Sequence, residues 1–74
     1  MKHYTKSTAL NDVREPDEVV DEEYVERYVD AVDWFRNLGS TEKVTKHGDG
    51  TIVARSIRPD GKQTRLTVFT PIKE

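Results

Sequence analysis

Residues 21–38, DEEYVERYVDAVDWFRNL, carry the densest run of large apolar side chains in this chain of 74 residues. Val20, Tyr24, Tyr28, Ala31, Phe35 and Leu38 recur at steps of three and four, and Val25 and Val32 widen the stripe. The spacing therefore predicts one amphipathic helix over 21–38 with an apolar side that needs a surface to pack on. Asp21 is the expected N-cap, with Val20 and Val25 at the two positions of a hydrophobic staple. Gly39, free to take the left-handed conformation, is the expected stop. On the other side of the helix Glu22, Glu23, Glu26, Asp30 and Asp33 form a band of carboxylates, with only Arg27 and Arg36 as near neighbours.

Beyond the helix the period changes to two. Three runs rich in Thr, Val and Ile, at 42–47, 51–58 and 63–70, are split by Gly48-Asp49-Gly50 and Pro59-Asp60-Gly61, both strong turn signals, and Pro71 closes the last. The expected fold is α+β: one long amphipathic helix packed on a three-stranded antiparallel meander, in the order α-β-β-β. Residues 16–74 make a single domain in this reading. Residues 1–15 are a flexible arm, or a short strand over 3–10 added to a sheet edge, with Leu10 and Val13 as anchors.

The turns also propose a register. Three-residue hairpin loops set Arg58 near Lys62, Ala54 opposite Leu66, Ile52 opposite Val68 and Val44 beside Ala54, so that these apolar residues meet the helix stripe. Phe35 and Leu66 are then core residues on facing elements. The outer face of the sheet follows: Lys43, Arg55 and Arg65 in one row, Thr45, Val53 and Thr67 in the next, then His47, Thr51 and Phe69. A two-residue turn at either loop would exchange the faces.

A chain this short buries only about 60% of its unfolded surface, so its stability margin is small. Its 35% charged and 34% hydrophobic residues include Trp34, three Tyr and two Phe, enough to anchor one core. There is no Cys, hence no disulfide and no thiolate metal site, and a cytoplasmic location is the expectation. No apolar run is long enough to span a bilayer, nor is there a leader-like N-terminus. The net charge of −2 is divided unevenly: residues 1–40 set five Lys and Arg against ten acids, and residues 41–74 seven against four.

Catalysis finds little support. His47 and Asp49 resemble a base and its orienting acid, but no nucleophile is placed by spacing, and a turn histidine is the simpler reading. The helix carboxylates lack the loop geometry of a calcium site, and nothing calls for a cofactor or a metal. The favoured reading is a small non-enzymatic protein-binding regulator or inhibitor. Glu22, Glu23, Glu26, Asp30 and Asp33 would steer a partner with a basic surface, and Trp34 at the stripe's margin would anchor it. One alternative is a nucleic-acid-binding module using Lys43, His47, Arg55, Arg65 and Phe69 on the outer sheet face. Another is a structural subunit that dimerises through Val53, Ile57 and Phe69, so both monomer and homodimer are open. At fold level only, a helix followed by three antiparallel strands resembles the first part of a double-stranded-RNA-binding domain. The second helix and basic motif of that family are missing, and nothing is carried over from it.

Overall fold

The computed structural model describes residues 2–57, 60–61 and 63–73. In chain order these form β1 (His3–Leu10), β2 (Val13–Arg14), β3 (Glu18–Asp21), α1 (Glu22–Arg36), β4 (Lys43–Lys46), β5 (Ile52–Ile57) and β6 (Gln63–Pro71). The strands make one antiparallel sheet in the order β2-β1-β6-β5-β4, with β3 also paired to β1. The α-β-β-β expectation is thus corrected to β-β-β-α-β-β-β. The meander of β4, β5 and β6 is there, but it is half of a larger sheet whose other half comes from the first 21 residues.

Residues 3–10 form the strand expected as the alternative to an arm, added to the meander at β6, but it does not end the sheet. They pair with β6 on one side and with β2 and β3 on the other, which makes β1 an inner strand. The cause lies in Asn11 and Asp12, both with positive φ (50° and 67°), a two-residue hairpin turn of the kind that matches strand twist. It sends the chain back along β1. The pairing Ala9 with Arg14 then gives way to Lys6 with Glu18, a slip of one residue across Pro16-Asp17. A proline has no amide to donate, and on an outer strand none is needed.

The helix begins as expected. Asp21 accepts a hydrogen bond from the Tyr24 amide at 2.8 Å and caps it, while Gly39 past its end has φ 98°. Its rotation differs. Val25 and Val32 are buried, Tyr28 and Val29 partly so, whereas Ala31, Phe35 and Leu38 are exposed. The expected stripe is therefore turned away from the sheet by about one residue, or about 100°.

A second slip changes the core. Ser56 pairs with Arg65 but Ile57 with Gln63, so Thr64 is an extra residue in β6. The carbonyl of Thr64 accepts from the Asn11 amide at 2.8 Å, which ties this bulge to the β1–β2 turn. Past it, Ala54 faces Thr67 and Ile52 faces Phe69, in place of the expected Leu66 and Val68. Val44 opposite Ala54 holds as expected, since the Gly48-Asp49-Gly50 loop has the three-residue form. The expected Arg58–Lys62 neighbours lie outside the described residues. Phe69 and Thr67 thus become the most buried large side chains, and Phe69 joins Tyr4 and Val25, with Val20, Tyr28 and Ile52 packed around. Both Tyr24 and Tyr28 meet the Phe69 ring edge-on, at 6.3 and 5.2 Å. Leu66 sits on the far face, so the expected Phe35–Leu66 core pair does not form.

Candidate functional site

The fold has two unlike sides. One carries α1; the other is the uncovered face of the sheet. Each sorts the expected site residues differently.

On the helix side, Val25 and Val32 point inward, and the 3.6-residue period distributes the rest. Glu22, Glu26 and Asp33 fall on the flank toward the β4–β5 turn, with Asp30 and Glu23 nearer the crest. Trp34 stands at the crest, 61% exposed. Ala31, Phe35 (52% exposed) and Leu38 (68%) fall on the other flank. The rings of Trp34 and Phe35 meet edge-on at 5.2 Å. Of the five carboxylates, Glu23 is paired with Arg27. Among the described residues Glu22, Glu26, Asp30 and Asp33 have no ion-pair partner.

Between this acidic flank and the β4–β5 turn lies a cleft of about 430 Å³. Its floor is Tyr4, Val25, Val29 and Ile52; Glu22, Glu26 and Asp30 form one wall, and Lys46 and His47 the other. Gly50 at its end is required twice over. It has φ +93°, and a side chain would come within 3.0 Å of Pro71. Near His47, the Asp49 carboxylate accepts the Thr51 amide at 2.9 Å. That bond is the main reason its pKa lies below the ordinary value.

On the sheet side, the bulge has dispersed the expected cation-and-ring set. Phe69 is fully buried against the helix and offers no ring for stacking. Arg65 points to the helix side, where its guanidinium meets Glu42 at 2.5 Å. Glu42 also accepts from the Tyr28 hydroxyl at 3.0 Å. His47 lies at the cleft instead. Of the five residues expected to bind nucleic acid, only Lys43 and Arg55 remain together on the outer face, directly opposite each other. Their row continues through Leu66 and Ala9 to Arg14. The next row is Thr45, Val53, Val68 and Ser7. The centre of this face is therefore apolar, with cations at both ends.

No family model, curated protein or solved structure matches this chain. Its surfaces have to be read from their own chemistry. Among the described residues no group of His and carboxylates is arranged to hold a metal ion, and no helix is long and apolar enough to cross a membrane. Two features escaped the sequence reading: the exposure of Phe35 and Leu38, and the apolar centre of the outer sheet. The first had a signal. Tyr24, Val25, Tyr28, Val29, Ala31, Val32, Trp34, Phe35 and Leu38 occupy well over half of the helix circumference, more than one sheet can cover.

Proposed function

We propose that this protein is a small non-enzymatic binding module, a regulator or inhibitor that docks a cationic protein surface with the solvent side of α1. The observation that carries the reading is the exposed Trp34–Phe35 pair, with Leu38 beside it, on a helix whose Glu22, Glu26, Asp30 and Asp33 have no ion-pair partner among the described residues. Exposed aromatic and aliphatic side chains supply the desolvated anchor of an interface, and surrounding charge supplies steering and selectivity. A Lys or Arg of the partner would lay its stem on Val25 and Ile52 in the cleft and its head among Glu22, Glu26 and Asp30.

Pull-down from the source cell, with and without nuclease, tests this. A protein partner retained after nuclease treatment, lost with Glu26→Lys/Asp30→Lys and lost with Trp34→Ala, is the expected result. A partner held equally by the wild type and by both folded variants would reject the helix as the working surface.

A further inference from the structure

The outer face of the sheet is the surface on this molecule that the proposed docking helix fits. We infer that α1 of one copy docks on the outer sheet face of a second copy, so that the chain assembles head to tail. The inference rests on the reading of α1 as a docking surface and names its partner.

Three observations support a second copy as the occupant. The first is charge. The sheet face presents Lys43 and Arg55 side by side at one end of a row whose other end is Arg14, itself paired with Asp17 at 3.7 Å, while α1 presents Glu22, Glu26, Asp30 and Asp33, which have no ion-pair partner among the described residues. The second is apolar content: Leu66, Val68, Val53 and Ala9, all partly exposed, lie between those cations, and the exposed Trp34 stands on the crest of α1 beside Asp30, with the exposed Phe35 and Leu38 on the flank away from Glu22, Glu26 and Asp33. The third is size. Five strands at about 4.8 Å spacing put the β2 and β4 ends roughly 19 Å apart, and a helix about 10–12 Å wide seats between them.

The symmetry follows from the same charges. Two sheet faces packed on each other would bring Lys43 and Arg55 of one copy against the same cations of the other; among the described residues neither has an ion-pair partner, whereas Arg14 has Asp17. Helix on sheet brings unlike charges together instead. It also gives each sheet a second helical layer, its own on one side and its neighbour's on the other. Because the two surfaces lie on opposite sides of one chain, each copy that docks leaves a fresh surface exposed. Such an interface grows into rings or filaments unless it is capped.

Sedimentation velocity of the purified chain, from roughly micromolar to millimolar concentration at low and high salt, tests this. The expected result is a mass that rises through dimer to larger species with concentration and falls with added salt. A sheet-face variant, Arg55→Glu, and a helix-face variant, Glu26→Lys, should each raise the concentration needed for association about tenfold or more. Lys43→Glu and Asp30→Lys serve as second choices if either fails a circular-dichroism check of folding. The mixture of Arg55→Glu with the helix-face variant Trp34→Ala, whose broken surfaces gain no charge complementarity toward each other, is decisive. Each retains one intact surface, so an equimolar mixture should form a 1:1 complex that does not grow. A wild type that stays monomeric throughout overturns self-assembly; if a pull-down partner still depends on Glu26, the docking reading of α1 stands without it. A wild type that associates while the mixed variants do not form the capped pair overturns the head-to-tail arrangement.

Discussion

The guanidinium of Arg65 lies 2.5 Å from the carboxylate of Glu42, although Arg65 is paired not with Glu42 but with Ser56 on the strand between them. A small residue on β5 lets the long side chain pass over it. The two partners are unequally placed: the Glu42 side chain is 10% exposed and that of Arg65 44%. Removing the arginine leaves a carboxylate largely cut off from water, whereas removing the carboxylate leaves an arginine that solvent can reach. Arg65→Ala should therefore cost about 2 kcal/mol and Glu42→Gln only about 1 kcal/mol, read from urea unfolding. The opposite order would mean that Glu42 is better solvated than its burial indicates.

The bulge at Thr64 makes a sharper prediction about the core. Phe69→Ala empties a fully buried site and should cost about 3–5 kcal/mol, comparable with the whole stability of a domain this small. Phe35→Ala, at a half-exposed site, should change stability by no more than about 0.5 kcal/mol. Chemical denaturation of both variants decides between the two possible faces of β6. If Phe35→Ala proved the costlier, the helix rotation described above would be wrong.

These same residues show how far the sequence could be read. The Asp21 cap, the stop at Gly39 and the Gly48-Asp49-Gly50 hairpin were legible because each rests on chemistry within three or four residues. The faces of β6 were not. Leu66 and Val68 alternate with Thr67 and Phe69, so either set is plausible as the inner one, and the choice falls to a single extra residue fixed by Asn11, more than fifty positions away. The place of β1 was hidden for a similar reason. Its hydroxyls at Thr5, Ser7 and Thr8 read as arm chemistry, yet between two partner strands the backbone pairing alone places it. Because the candidate nucleic-acid surface depended on that register, it was dispersed with it. The acidic helix residues, placed by the helical period, stayed together.

Tyr28 ties the helix to the sheet through a hydroxyl 3.0 Å from Glu42 and 3.3 Å from Thr67. Burial, reinforced by the neighbouring Glu42 carboxylate, raises its pKa above the ordinary 10.0. The Lys6 amine, 2.6 Å from the Tyr24 hydroxyl, is raised above 10.5, chiefly by that hydrogen bond. Both folded-state values lie above the unfolded ones. Their contributions are fully present below pH 10.0 and are lost as the pH rises through the raised values. Stability should fall on the alkaline side, and Tyr28→Phe should make that fall shallower while costing about 1 kcal/mol at neutral pH. Ultraviolet titration of tyrosinate, with urea melts at each pH, checks both parts.

The Asp21 cap sits where β3 becomes α1, so it holds the helix start against the sheet as well as satisfying an orphan amide. Asp21→Ala should cost about 1 kcal/mol and lower the melting temperature by about 4–8 °C for a domain of this length. Asp21→Asn, which keeps the accepting oxygen, should recover most of the loss. Equal destabilisation by both variants would assign the effect to the charge near the helix dipole rather than to the cap.

Trp34 offers a direct reading of the docking surface, because it is the only tryptophan in the chain and stands at the crest of α1. With 61% of its surface exposed, its emission in dilute solution should be red-shifted and readily quenched by acrylamide. Docking of the crest on a cationic surface removes the indole from water, so the emission should move to the blue and quenching should fall as the complex forms. The carboxylate flank acts earlier in the encounter, through steering at a distance. Glu26→Lys/Asp30→Lys should therefore slow the approach and weaken its dependence on salt. Trp34→Ala should instead speed dissociation, by about 2 kcal/mol or more if the indole fills a pocket. Both changes lie on the solvent side and should leave the thermal melt within about 0.5 kcal/mol of the wild type. An emission spectrum that does not change when the complex forms would show that the crest stays in water and that binding uses another surface.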